Sequence, residues 1–205
     1  MALLGQLLNW GDFGEAVSEL ARGFRDEHGL PQVHQLGLVV RDVEDAARSL
    51  EDRGVGAFFI ADGPAALWRE WGQERSFRGK MGLAYHQGFE FELLEPGEGS
   101  DFYRQALAPD GGIVIHHLGF LVSDVDEWAG KLAAAGSPVW VRGELEIGPM
   151  VASFAYVDTV DEAGLVIEFI SWRTLGRPSR PPAGLFRLLG RLQKWSGKRS
   201  VTVPG

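Results

Sequence analysis

The sequence predicts an α+β fold made of two tandem βαβββ modules, with a helical arm at each end. Two observations support this prediction. A 23-residue stretch recurs in similar form 82 positions later, and each copy is followed by three β-like runs. The 205-residue chain is 45% hydrophobic and has no cysteine. It can therefore bury a core without disulfides, and any metal site must use nitrogen and oxygen ligands.

Each repeat begins with a strand and continues into a helix. Residues 33–55 align with residues 115–137, and nine of the 23 aligned pairs are identical. Asp42 and Asp124 stand where helix N-caps are expected, and a glycine follows each apolar helical pattern. The predicted helices cover residues 43–53 and 125–135.

Three runs of β-forming residues follow each helix. In the first copy they cover residues 56–60, 81–86 and 89–94, and in the second 138–142, 151–156 and 165–170. The last runs align Glu92 with Glu168, so a carboxylate recurs inside an otherwise apolar strand.

We divide the chain into four segments. These are an N-terminal helical arm (1–30), a first module (31–110), a second module (111–172) and a basic tail (173–205). In the N-terminal arm, Asp12 precedes an apolar stripe with helical spacing, which predicts a capped helix.

The tail holds eight basic side chains and no acidic one, and four leucines between residues 185 and 192 form an apolar stripe. We expect this amphipathic helix to pack on the acidic body or on the partner subunit of a homodimer. Contact with a membrane surface is the alternative.

The charge of the chain bears on its partners and location. The formal net charge is −8, and the body without the tail is more acidic still, which makes nucleic acid an improbable partner. No apolar run reaches the length of a membrane span, and the N-terminus lacks the pattern of a secretory signal. We therefore expect a cytoplasmic protein without a transmembrane segment.

The repeated carboxylates indicate a metal. Two carboxylates at equivalent places in a duplicated module would repel each other unless a cation lay between them. Gln35 and His117 align with each other when the Leu-Gly that follows each is matched. Gln35, Glu92, His117 and Glu168 form a mixed nitrogen and oxygen set suited to one divalent Zn, Ni, Co, Fe or Mn ion.

The stretches "HHLGFLVSDV", "FELLEPGEG" and "GLVIEFI", in tandem βαβββ modules, resemble the vicinal oxygen chelate superfamily, in particular its branch of glyoxalase I and methylmalonyl-CoA epimerase. The resemblance covers about residues 33–171. It implies the glyoxalase/bleomycin resistance/dioxygenase fold with a metal-centred cleft, and its metal positions fall on Gln35, Glu92, His117 and Glu168.

This resemblance also implies an activity. It indicates a metal-dependent lyase or isomerase, of the lactoylglutathione lyase or methylmalonyl-CoA epimerase type, that moves a proton next to a carbonyl of a small substrate with vicinal oxygens. Glu168 is the first candidate base and Glu92 the second. Gln35 agrees with the glyoxalase pattern, whereas most epimerases have His there. An extradiol dioxygenase fits less well, because only His117 and Glu168 match its two His and one Glu.

Four further residues are candidates for substrate contact. Glu90 shares a strand face with Glu92 by period 2. Trp68, Arg69 and Trp71 belong to an insertion at residues 64–80, which is either a lid over the substrate or a surface helix docked by its tryptophans.

His34 and His116 lie one residue from the ligand positions, so we expect both to point to the opposite sheet face in structural roles.

Two other classes of function stay open. The same scaffold serves non-catalytic proteins that sequester a drug or metabolite, as bleomycin-resistance members of the superfamily do. An interaction protein that uses its amphipathic arms is the third possibility.

Overall fold

A computed structural model describes residues 4–8, 12–180 and 182–203. Within these residues twelve strands form one mixed sheet. The strands are β1 (Gln35–Val39), β2 (Phe59–Pro64), β3 (Leu67–Glu70), β4 (Gln73–Glu74), β5 (Arg78–His86), β6 (Phe89–Leu94), β7 (Val114–Leu121), β8 (Val139–Ile147), β9 (Met150–Val157), β10 (Val166–Thr174), β11 (Arg177–Ser179) and β12 (Val201–Thr202). The helices are α1 (Leu4–Leu8), α2 (Phe13–Glu19), α3 (Arg22–Glu27), α4 (Val43–Asp52), α5 (Val125–Ala134), α6 (Val160–Ala163) and α7 (Ala183–Ser196).

The strand order is β12-β2-β5-β6-β1-β7-β10-β9-β8-β3-β4, and β11 pairs with β10. The two repeats meet where β1 pairs antiparallel with β7. On either side, the first strand of each repeat pairs parallel with its last strand, β1 with β6 and β7 with β10. The predicted α+β fold is confirmed, while the segment boundaries at residues 31, 111 and 173 stay predictions.

The two repeat helices are confirmed. The Asp42 carboxylate accepts a hydrogen bond from the Asp45 amide at the start of α4. The Asp124 carboxylate accepts one from the Glu127 amide at the start of α5. These bonds satisfy backbone donors that the first helical turn leaves free.

The central strands are buried on both faces, which explains their nearly continuous apolar runs. One face packs against the helices, and Leu36, Leu38 and Phe120 belong to the core on that side. The opposite face lines a cleft, where Trp68 and Phe154 belong to a second, aromatic core. The candidate site therefore lies on the cleft face of these strands, where it is shielded from water.

The N-terminal arm differs from the single helix that its apolar stripe suggested. Asp12 caps α2 as predicted, accepting a hydrogen bond from the Glu15 amide. The helix then ends at Glu19, with Leu20 as its C-cap, and Ala21 has a φ of 51° before α3 begins. Phe13 still buries its ring, stacked on Phe91 at a centroid distance of 5.7 Å.

The insertion at residues 64–80 forms a β-hairpin, so the surface-helix alternative was wrong. Its first strand, β3, pairs antiparallel with β8 of the second repeat, and its second strand, β4, pairs with β3. The insertion has no counterpart in the second repeat, so the internal comparison that placed the other strands gave no guidance here.

The basic tail packs on the body, as its charge suggested. In α7 the Gln193 amide donates to the Ile60 carbonyl and accepts from the Ile60 amide, both at 2.8 Å. Lys194 and Arg199 both contact the buried carboxylate of Glu51, at 3.0 and 3.2 Å. No helix of the described residues is long and apolar enough to cross a membrane.

Glu51 is the electrostatic anchor of this tail. Burial alone would raise the pKa of Glu51, but the Phe58 amide, Lys194 and Arg199 together lower it below its ordinary value. Because the folded-state pKa is the lower one, the contact stabilises the docked tail above the unfolded-state pKa. This contribution is lost as pH falls through the lowered value.

We predict that Glu51→Gln loosens the tail at neutral pH, because a neutral amide cannot pair with two cations. Hydrogen exchange of residues 183–196 should become several-fold faster, with the central strands unchanged. Glu127→Gln is the matched control, since within the described part of the chain Glu127 forms an ion pair with Lys131 alone, on an exposed surface. Unchanged exchange in Glu51→Gln would show that the ion pairs do not hold α7.

Candidate metal centre

Four adjacent strands bring the predicted ligands together. In the row across β6, β1 and β7, Glu92 lies opposite Gly37, and Gly37 lies opposite His117. In the next row, Gln35 lies opposite Gly119, and Gly119 lies opposite Glu168 on β10. The two rows are related by the repeat, so each half contributes one first-strand ligand and one last-strand carboxylate.

Two glycines make room for these ligands. A Cβ at Gly37 would lie 1.8 Å from Cε1 of His117, and a Cβ at Gly119 would lie 2.6 Å from Oε1 of Gln35. Each glycine belongs to the Leu-Gly that follows the ligand of its own half, yet it accommodates the ligand of the other half. The glycine of the repeated Leu-Gly is therefore required by the site.

Three of the ligands converge closely. Nε2 of His117 lies 3.0 Å from Oε2 of Glu168 and 3.4 Å from Oε2 of Glu92. One nitrogen or oxygen atom from each of these buried residues lies within 4.8 Å of the others, a separation that one metal ion can span.

The donor atoms lack hydrogen-bond partners. Oε1 of Gln35, Oε2 of Glu92, Nε2 of His117 and Oε2 of Glu168 are all buried without one. The short contacts to His117 bring charges together without hydrogen-bond geometry. Unpartnered buried polar atoms are costly, and two buried carboxylates are more so. A divalent cation would satisfy all four atoms, and the set of two carboxylates, an imidazole and an amide oxygen fits such an ion.

The ionisation of the cluster reflects its burial. Burial raises the pKa of Glu92, and the charge of Glu168 adds to that increase. Burial would lower the pKa of His117, but the charges of Glu168 and Glu92 outweigh it and raise that pKa to about 9. The cluster therefore favours a positive charge among its carboxylates.

His116 does not point away from the site, contrary to expectation. The pairing of β1 with β7 shifts register between Gly37 and Leu38, which leaves His116 as an extra residue in β7. Its ring therefore lies on the cleft side, and its Nδ1 lies 3.0 Å from Nδ1 of His117. Burial keeps the pKa of His116 well below its ordinary value, so a neutral ring holds the far side of His117. The alternation of side chains along a regular strand does not predict this bulge.

Glu90 acts on Gln35 rather than lining the cleft. Nε2 of Gln35 donates to Oε1 of Glu90 at 2.7 Å, and the Tyr85 hydroxyl donates to the other carboxylate oxygen. Burial raises the pKa of Glu90 to about 7. Because the amide NH₂ is engaged, Oε1 of Gln35 is left free as a ligand.

The cleft beside the ligands is narrow and mostly apolar, with a volume of about 50 Å³. Of the substrate candidates, Trp68 lines it, while Arg69 pairs with Glu74 at the surface. Trp71 is half exposed and stacks on Trp140 instead. Sequence reasoning missed two buried tyrosines at the cleft, Tyr103 and Tyr156, whose hydroxyls are 3.0 Å apart.

Comparison with known proteins identifies the family. The family model described as "Glyoxalase/Bleomycin resistance protein/Dioxygenase superfamily" matches residues 34–148, more than half of the chain. The chain belongs to this superfamily. The resemblance to this superfamily that the sequence showed is thereby confirmed. No curated protein matches the chain.

Solved structures of the superfamily are similar at low identity. A methylmalonyl-CoA epimerase variant from Streptomyces coelicolor, in complex with 2-nitronate-propionyl-CoA, is 18% identical with a TM-score of 0.46, covering 74% of this chain and 99% of its own. The methylmalonyl-CoA epimerase from Mycobacterium tuberculosis is 17% identical with a TM-score of 0.43, covering 67% and 85%. A 4-hydroxymandelate synthase mutant from Streptomyces coelicolor is 13% identical with a TM-score of 0.47, covering 82% and 56%.

We predict that Gly37→Ala displaces the His117 ring. Overpacking of this kind costs about 1–3 kcal/mol, so thermal unfolding should begin several degrees lower, and metal retention after reconstitution should fall. Gly130→Ala is the control, since a Cβ there meets no atom within 4 Å. Unimpaired metal binding by Gly37→Ala would contradict the proposed position of the imidazole.

We also predict that Glu90→Ala weakens metal binding, because the Gln35 amide loses the partner that orients it. Loss of such a partner lowers metal affinity roughly 10–100-fold, measurable by chelator competition. Tyr85→Phe retains the bond between Gln35 and Glu90 and should have a smaller effect. Equal affinity in Glu90→Ala and the unmodified chain would remove Gln35 from the ligand set.

Proposed function

We propose that the protein is a divalent-metal-dependent lyase or isomerase of the glyoxalase or epimerase type. Its reaction is proton transfer next to a carbonyl of a small substrate with two vicinal oxygens. The observation that carries this proposal is the set of four buried, unpartnered donor atoms on Gln35, Glu92, His117 and Glu168.

The metal and the carboxylates would divide the work. A divalent ion held by these residues would act as a Lewis acid that makes the C–H next to a carbonyl more acidic. Glu168 is the proposed base and Glu92 the second candidate, because both buried carboxylates line the cleft. The dry surroundings strengthen the basicity that such a carboxylate offers.

The aromatic wall keeps water away from the transferred proton. Tyr103 and Tyr156 are fully buried beside the ligands, and burial raises the pKa of both hydroxyls well above the ordinary value. They therefore stay neutral, and one hydroxyl donates a hydrogen bond to the other. His116 positions the imidazole, and Glu90 positions the amide.

A binding protein on the same scaffold is the second candidate. The apolar cleft beside Trp68 would suit sequestration of a small molecule. The complete donor set favours the enzyme, because a binder that relies on apolar contact has no need of two buried carboxylates. An extradiol dioxygenase is less well supported, since an amide and a second carboxylate complete the cluster in place of a second His.

The test separates metal binding from turnover. The protein reconstituted with Zn, Ni, Co, Fe or Mn should retain about one ion per chain, and His117→Ala should lose it. Glu168→Gln should retain the metal. It should also reduce solvent deuterium incorporation next to the carbonyl of α-oxo hemithioacetals or 2-acyl thioesters by roughly 10²–10⁴-fold.

Glu162→Gln is the matched control, because Glu162 is exposed on α6. Incorporation at the unmodified rate in Glu168→Gln would remove Glu168 as base. Stoichiometric metal with no proton exchange on any such compound would favour the binding protein.

A further inference from the structure

The inserted hairpin closes one side of the cleft. Its strand β3 belongs to the first half of the chain but extends the sheet beyond β8 of the second half. Two further backbone hydrogen bonds attach the hairpin to β8. They run from the Ala66 amide to the Glu144 carbonyl and from the Trp71 amide to the Trp140 carbonyl, at 2.9 and 2.8 Å. The hairpin is therefore a fixed wall of the cleft.

Trp68 is the part of that wall that faces the cleft. Its ring is 2% exposed and stacks on Phe77 at a centroid distance of 4.1 Å. Its indole N–H donates to the Glu70 carboxylate at 2.8 Å. The edges of Tyr103 and Phe154 complete the contact at centroid distances of 6.0 Å. A ring held on this many sides gives a rigid limit to the space beside the ligands.

The tail borders a second, smaller space next to the cleft. Val203 follows β12, and a Cβ on Gly63 would lie 2.9 Å from the Val203 carbonyl oxygen. Val203 and Leu145 line a small neighbouring space of about 30 Å³ that shares Gly63, Gly79 and Met81 with the cleft.

The remaining space is small, and its charged side chains are compensated when the metal is bound. At about 50 Å³ the cleft has room for about four waters, well below the ~150 Å³ of a cavity that holds benzene. Its charged lining consists of Glu92 and Glu168, which the metal would compensate, and of Glu95 and Lys80. Lys80 lies 3.5 Å from Glu44 and 3.7 Å from Glu95, so its charge is already compensated.

We infer that the substrate group next to the two vicinal oxygens is a compact, uncharged aliphatic group of a few carbon atoms, and that Trp68 sets this size limit. The inference rests on the proposed function, because the vicinal oxygens are the part that the metal would bind. Aryl groups are excluded by size, and charged groups are excluded because the cleft has no uncompensated side chain to pair with them.

Hydroxamates test the limit directly, because they present two adjacent oxygens to a metal and differ only in the attached group. The Zn-loaded protein should bind acetohydroxamate at least roughly tenfold more tightly than benzohydroxamate in calorimetric titrations. Trp68→Ala should reverse or abolish this preference. Trp71→Ala is the matched control from the same hairpin and should keep it, because Trp71 stacks on Trp140 outside the cleft.

Leu145→Ala provides a second enlargement, on the strand β8 that pairs with the hairpin, in case Trp68→Ala does not fold, and it should also relax the preference. The Zn content of each sample is measured first, which separates the two levels of the proposal. Samples without Zn overturn the proposed function and this inference with it. Zn-loaded protein that binds benzohydroxamate as tightly as acetohydroxamate, or enlarged variants that keep the discrimination, overturn the size limit alone.

Discussion

The structure depends on the burial of two carboxylates at the centre of its sheet. Glu92 and Glu168 are buried a few ångströms from a single imidazole, and burial raises the pKa of Glu92. An arrangement of this kind is unfavourable without a compensating cation, because desolvation of each charge costs several kcal/mol. The surrounding glycines, the bulge in β7 and the bonded amide of Gln35 all place donor atoms around one point.

Two supporting contacts orient the side chains of the candidate metal centre. His116 holds the Nδ1 side of the imidazole, and Glu90 holds the NH₂ side of the Gln35 amide. Each contact leaves the other polar atom of the side chain without a hydrogen bond, namely Nε2 of His117 and Oε1 of Gln35. Metal sites in proteins depend on such supporting bonds for ligand orientation, and here both come from residues adjacent to or two positions from a ligand.

Much of the fold followed from the internal repeat, because strands and helices in equivalent positions confirm one another. The candidate ligand positions followed from the same comparison, since Glu92 and Glu168 lie in equivalent strands, as do Gln35 and His117. Features that break the repeat were not predictable in this way. The bulge turns His116 to the other sheet face, and no residue type in the sequence signals that change. Ala21 adopts a positive φ although the position is not a glycine. The hairpin around Trp68 has no counterpart from which to infer its partner strand.

Each half depends on a glycine of the other half. Gly37 leaves room for the His117 ring, and Gly119 leaves room for the Gln35 side chain. A single module paired with an identical copy would have to place the same ligand twice across a two-fold axis. In one continuous chain the two positions can differ, so an amide stands on one side of the axis and an imidazole on the other. A centre without two-fold symmetry presents different groups to the two ends of a bound molecule. It can therefore distinguish one orientation, and one face of a trigonal carbon, from the other.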